Sequence, residues 1–299
     1  MLKKLMSVFC VFLLLCGCRP GQSKEVETSI YSILSYRGTP SLCLLSLGEE
    51  YSIKTTNSVD TFNHAFEEGR FDIIVAPLNV GINGCLKAGK YKLFSVVVFA
   101  NLNVVSAYEN LNGGTLGACG ENMVVGKLMD YIAETDLRGY DYVYYESYDE
   151  LCMALINGEI DAAVLDEISF NRVNDEDENE YYKIDDLRAD YEYHTQYNSL
   201  PEYGMFVLND VTEKDQANLV SFAKKIRSGI STYKNDKTTF NNVLQNADLT
   251  TLGFLDYKLV RESYNYCGID FVFASSIYDE IESVMSICDI EMDESIIIK

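Results

Sequence analysis

Short polar clusters punctuate this 299-residue chain, each directly after an apolar run. They are Gly38-Thr39 after residues 28–36, Asn57-Ser58 after 51–56, Pro77-Leu78-Asn79 after 71–76, Gly120-Glu121-Asn122 after 115–118, Glu146-Ser147 after 142–145, and Asp166-Glu167 after 162–165. Hydroxyls, amides and carboxylates in such places are hydrogen-bonding groups for a small solute rather than a nucleophile with its base. If two or more of Glu121, Glu146, Asp166 and Glu167 converge, they favour a cationic or amine-bearing ligand. An anion would want Arg or Lys, and only Arg37 is near. Thr39, Ser58, Asn79 and Ser147 suit helix N-caps equally well, and Gly38 and Gly120 suit positive φ. Asn101 opens a strand-like run and faces the same choice between solute and scaffold. Tyr36, Tyr108 and Tyr145 either wall a flat ring or pack the core.

Other chemistries lack their residues. His64 and His194 are the two histidines, and neither has a cysteine at zinc-ligand spacing. The acidic stretch Asn174-Asp175-Glu176-Asp177-Glu178-Asn179 has no glycine at the sixth position of a calcium loop. It reads as a solvated loop spanning 171–193. No GxxxxGK[ST] loop occurs, so any ATP-driven step belongs to another protein. No metal or cofactor is expected. A net charge of −22 repels phosphate backbones, which argues against nucleic acid as a partner.

The elements that must carry these clusters alternate. Strand-like runs at 28–36, 51–56 and 71–76 are separated by helical stretches at 40–48 and 58–68, with another helix from the Pro77-Leu78-Asn79 turn to about residue 88. Runs at 115–118, 142–145 and 162–165 repeat the pattern with helices at 123–134 and 147–157. Strand–helix–strand repeats of this kind build mostly parallel sheets. Strand-like runs at 93–99 and 101–107 lie between them, and two such units, joined at 101–107, predict an α/β protein of two lobes, 28–103 with 206–299 and 104–205. A strand at 203–208 recrosses between them. A long amphipathic helix is expected at 213–233, then a strand at 269–273 and a helix at 275–288. In open α/β sheets, ligands sit beyond the carboxyl ends of the strands, which is where the polar clusters fall.

The amino terminus has a separate logic. Two lysines precede an apolar run at 5–15 that is short for a membrane span. Leu15-Cys16-Gly17-Cys18 and a polar stretch follow, the order of a secretory signal. Residues 1–17 are expected to be removed and 18–27 to act as a tether. The ending resembles a bacterial lipobox, which implies lipidation of Cys18 and attachment to the outer face of the cell membrane. Cys16 departs from the small residue usual at that position. Removing 1–17 leaves 22 basic against 46 acidic side chains. Cys43, Cys85, Cys119, Cys152, Cys267 and Cys288 each sit among apolar neighbours and read as free core thiols.

A family resemblance rests on the order of these segments. Gly69-Arg70-Phe71-Asp72-Ile73-Ile74-Val75-Ala76-Pro77-Leu78-Asn79, then Lys90-Tyr91-Lys92-Leu93, then Asn101-Leu102-Asn103-Val104-Val105-Ser106 resembles ABC-transporter substrate-binding proteins of the nitrate, sulfonate, taurine and thiamine-pyrimidine-precursor group. Gly158-Glu159-Ile160-Asp161-Ala162-Ala163 resembles the matching second-lobe strand, and Arg37-Gly38-Thr39-Pro40 the first ligand loop. The resemblance implies a two-lobed periplasmic-binding-protein type II fold with two hinge crossings. It also implies a monomer that presents a solute to a membrane permease with its own ATPase, without being an enzyme. A sensing lipoprotein and an enzyme on the same fold stay open as alternatives.

Overall fold

The structure, a computed structural model, describes residues 30–48 and 50–298. The signal segment 1–17, Cys18 and the tether 18–27 lie outside the described residues. Two sheets organise the chain. The first has six strands, β1 (Ser32–Tyr36), β2 (Ser52–Thr56), β3 (Ile73–Pro77), β4 (Tyr91–Phe99), β10 (Pro201–Leu208) and β11 (Ile269–Phe273), in the order β11-β4-β10-β3-β1-β2. The second has five, β5 (Asn103–Ser106), β6 (Gly114–Cys119), β7 (Tyr140–Tyr145), β8 (Ala162–Leu165) and β9 (Tyr182–Asp186), in the order β7-β6-β8-β5-β9.

The two sheets share one plan. In each, three strands run parallel (β2-β1-β3 and β7-β6-β8), and an antiparallel strand that has crossed from the other lobe lies beside them (β10 and β5). A carboxylate pins the same joint in both. Asp72, just before β3, accepts from the Ser32 backbone N–H at the start of β1 (2.7 Å), and Asp161, just before β8, accepts from the Thr115 N–H in β6 (2.7 Å). The aspartates of the two matching sequence segments therefore register strands and do not face a ligand. The crossings run through 100–102 and 196–200 and touch one another, the Ala100 N–H donating to the Leu200 carbonyl (2.8 Å). β5 starts at Asn103 and β10 pairs in the first sheet from Pro201, so the second crossing precedes Pro201.

Helices close both faces of the sheets, which explains why β3 and β8 are apolar and buried throughout. α1 (Val59–Glu68) begins with the Ser58 hydroxyl accepting from the Thr61 N–H and ends at Gly69 in the left-handed region, as the spacing predicts. α2 (Leu78–Ala88) packs on β10 so closely that a Cβ on Gly81 would lie 2.1 Å from the Phe206 ring. α3 (Val124–Ile132) and α4 (Tyr148–Ile156) flank the second sheet. Core thiols are as expected: the six cysteines from Cys43 to Cys288 are free and buried.

Four local readings need correction. Residues 39–44 form a 3-10 helix instead of an α-helix over 40–48, held tight by Ser41 bonding back to Gly38. The acidic stretch 171–193 is not a loop. It comprises the end of α5 (Glu167–Glu176), β9 and α6 (Leu187–Thr195), with Asp166 and Asp186 accepting from the first-turn N–H groups of the two helices. The helix expected at 213–233 is two, α7 (Asn209–Lys214) and α8 (Gln216–Asn235), parted at Asp215, which accepts from the Tyr31 hydroxyl (3.1 Å). Residues 237–263, unassigned from sequence, form α9 (Lys237–Asn246), α10 (Leu249–Leu252) and α11 (Tyr257–Ser263), and α12 (Tyr278–Ile287) follows.

Candidate solute-binding cleft

The cleft is built from the first turn outward. β1 ends at Tyr36, and Gly38 takes φ 101°, a conformation costly for any residue with a Cβ. That turn swings Thr39 into the gap between lobes, where its hydroxyl donates to Asp166 Oδ2 at 2.6 Å. The same turn is bolted to α10: the Gly38 N–H and the Ser41 hydroxyl both donate to the Leu252 carbonyl (2.9 Å each). Residues 253–256 are thereby carried to the cleft rim, with Leu255 91% exposed.

Asp166 stands at the junction of β8 and α5. Its Oδ1 caps α5 through the Ser169 N–H (2.8 Å), while Oδ2 meets Thr39. Across from it, Ser147 caps α4 and delivers Tyr148 to the cavity wall. Together these loops enclose about 210 Å³, lined from both lobes. Four acids (Asp149, Asp166, Glu176, Asp256) and two arginines (Arg37, Arg172) border it. Arg172 is neutralised by ion pairs to Asp149 and to Glu176 (2.9 Å), so its positive field at the cavity is small.

Beneath lies a second, smaller space of about 20 Å³, bordered by Tyr36, Asn101, Tyr148, Asp166, Glu202 and Tyr203 among others. Glu202 is the second residue of β10 and is 8% exposed. Burial, reinforced by the negative charge of Asp166, pushes its carboxyl up to about 8. Burial also raises the phenols of Tyr36, Tyr148 and Tyr203 well above their ordinary value, so all three stay neutral donors at any physiological pH.

The sequence-derived candidates divide clearly. Gly38, Thr39, Asn57 and Asp166 line the larger cavity, and Asn101 lines the smaller one. Asn57 keeps a buried Oδ1 without a partner, while the Asn101 amide donates to the Tyr266 carbonyl (2.5 Å). Asn79, 4% exposed, donates across the lobes to the Asn122 carbonyl (2.8 Å), away from both cavities, and its Oδ1 has no partner. Ser58 is the exposed cap of α1. Pro77 is the buried last residue of β3. Gly120 and Glu121 belong to the turn that supplies Asn122, and Glu146 is exposed. Glu167 is buried against Lys183 Nζ (2.5 Å). Of the tyrosines, Tyr36 reaches the cleft, Tyr108 is exposed outside it, and Tyr145 packs near Gly117. Tyr148, Arg172, Glu202, Tyr203 and the 253–256 rim were not anticipated.

No protein-family model and no curated protein sequence matches the chain. Solved structures do. An ABC transporter protein from Parabacteroides distasonis superposes with TM-score 0.70 at 16% identity, covering 90% of this chain and 94% of that one. The ligand-binding component of an ABC-type import system from Staphylococcus aureus, with zinc bound, gives 0.65 at 11% identity over 90% and 95%. The periplasmic aliphatic sulphonate binding protein SsuA from Escherichia coli gives 0.61 at 11% identity over 86% of each. With its duplicated sheet plan and paired crossings, the chain has the two-lobed α/β periplasmic-binding-protein fold of these neighbours.

Proposed function

We propose that this chain is the solute-binding receptor of an ABC importer, exported behind residues 1–17 and held at the outer membrane face by lipid on Cys18. As a monomer it closes two lobes around a small amine-bearing or heterocyclic solute, of which a thiamine pyrimidine precursor is an example. It then passes the solute to a permease driven by a separate ATPase. The observation that carries this reading is the cavity of about 210 Å³ walled by loops of both lobes, with acids outnumbering cations at its edge. Cross-lobe bonds such as Thr39–Asp166 stabilise the closed arrangement, and a solute touching loops of both lobes adds the differential affinity through which a ligand shifts them. The fold neighbours include proteins named for import systems, one of them for sulphonates. Here an anion would meet Asp166, Asp256 and an Arg172 already paired, with Arg37 as the counterweight, and the excess of acids favours a ligand of the opposite sign. Both histidines stand apart from this cavity's lining, His64 beside Glu67 and His194 on Asp136.

Native mass spectrometry of the gently purified protein tests the reading. A retained amine or heterocycle, released unaltered on denaturation, is the expected result. A retained sulfonate or nitrate overturns the ligand class, and chemical turnover of the solute overturns the receptor.

A further inference from the structure

Glu202 is a buried carboxyl group that the fold itself does not use. Its side chain is more than nine-tenths buried, it borders the smaller cavity, and no described residue pairs with it. Stability does not explain its place, because an unpaired buried carboxyl opposes folding. The titratable and charged groups that share the cavity are Tyr36 and Arg37 after β1, Tyr148 at the start of α4, Asp166 before α5, Tyr203 beside Glu202, and Cys267 before β11. Burial holds the three phenols and the Cys267 thiol protonated. Asp166 is the one charge that acts appreciably on Glu202, and it has the same sign; Arg37 does not compensate it. The cavity therefore sets a pair of carboxyl groups among three tyrosines, with Arg37 on its border and not among the groups that shift Glu202.

Size narrows the occupant. The space is about 20 Å³, and roughly 10–15 Å³ is needed to hold a single water. A primary ammonium group is the size of a water, carries three donors, and gains from carboxylate oxygens and nearby aromatic rings together. A quaternary ammonium is too large and has no donor. We infer that the Glu202–Asp166 floor is a subsite for a terminal primary ammonium group, with the remainder of the solute lying in the larger cavity above it. This inference rests on the receptor reading and narrows it from amines in general to primary alkylammonium ends.

Proton linkage gives the subsite a signature. In the empty site at neutral pH, Glu202 holds its proton, since its carboxyl titrates at about 8. An arriving ammonium favours the carboxylate, so the proton leaves to solvent as the cation enters, and one positive charge replaces another. Binding then tightens as pH rises toward 8 and levels off above it.

The test is calorimetry on the full mature protein with n-pentylammonium chloride and pentyltrimethylammonium chloride, in phosphate and in triethanolamine buffer at neutral pH. We expect n-pentylammonium to bind at least tenfold more tightly, with close to one proton released per ligand. Glu202→Gln, isosteric with the protonated acid and therefore foldable, should lose that preference and the proton release. Equal affinity for the two cations, no binding of n-pentylammonium at millimolar concentration, or unchanged proton release in Glu202→Gln each overturns the inference. The receptor reading fails separately. If native mass spectrometry finds an unaltered solute without a primary amine that binds wild type and Glu202→Gln equally, the receptor stands and the subsite falls. If the solute is turned over, the receptor falls.

Discussion

Replacing Thr39 by Val removes one hydroxyl and leaves the side-chain shape nearly unchanged. That hydroxyl donates to Asp166 Oδ2 at 2.6 Å and is one of the bonds spanning the lobes; Thr39 is 9% exposed. A hydrogen bond to a charged acceptor contributes about 1.5–3 kcal/mol. In an open molecule both partners meet water, so the loss falls on the closed state alone. It corresponds to roughly a 10- to 150-fold shift toward open. If solute binds only the closed form, affinity falls by up to the same factor, and by less if the empty protein is mostly closed already. Small-angle scattering of the solute-free and solute-saturated protein reads the lobe equilibrium, and calorimetry with the natively retained solute reads the affinity. Thr39→Val should show a larger radius of gyration at subsaturating solute, and Thr39→Ser should restore wild-type behaviour. Identical scattering and affinity in all three proteins would refute the reasoning, because the bond would then carry no share of closure.

Other outcomes follow from named contacts. Glu202 has a folded pKa of about 8 against an ordinary 4.5, so its contribution to stability is present at acid pH and is lost as pH rises from about 5 through 8. Glu202→Gln should match wild type in urea midpoint near pH 4.5 and exceed it near pH 9, by up to about 5 kcal/mol before discounting for water entry. Asp190, raised to about 7 chiefly by burial, adds the same trend to both proteins. Gly81→Ala drives a methyl into the Phe206 ring and should cost about 1–3 kcal/mol in denaturant unfolding. The thiols from Cys43 to Cys288, buried and held protonated, should resist a thiol reagent in the native protein and react on unfolding. Cys18→Ala should move the protein from the membrane fraction to the soluble one; unchanged membrane association would count against the lipid anchor.

The fold was legible because its signals are local and repeated. Strand runs such as Ile73–Pro77 and Ala162–Leu165 are apolar throughout, and the Ser58 and Ser147 caps and the Gly69 stop fall where their chemistry predicts. The acidic stretch misled because charge was read as solvation. Asp186 in fact opens α6 by accepting from the Arg188 and Ala189 N–H groups, and Tyr191, fully buried, fixes that helix to the core. Half of the cleft was equally hidden. The rim at 253–256 follows a four-residue helix with no periodicity to detect, and its place depends on long-range bonds from Gly38 and Ser41. Asn79 shows the opposite failure: its position beyond β3 was read correctly, yet its amide faces the other lobe's backbone and not the cavities.

Glu202 was missed for a reason that belongs to the topology. Candidate residues were sought beyond the carboxyl ends of strands, the rule for parallel sheets. Each lobe also contains an antiparallel strand arriving from its partner, and an antiparallel strand presents its amino end on the side where its neighbours present their carboxyl ends. Asn101, just before β5, was singled out by that logic at the first crossing and does line the smaller cavity. The same logic at the second crossing leads to the opening residues of β10, Pro201-Glu202-Tyr203, which supply a carboxyl group and an aromatic ring to that cavity. The two crossings thus also supply side chains to the smaller cavity. Because they hydrogen-bond to each other through Ala100 and Leu200, a change in lobe angle there is coupled to the strand ends that form the cavity floor. On the proposed receptor reading, a cation at Glu202 would act beside the crossings, where a small displacement has the greatest leverage on closure.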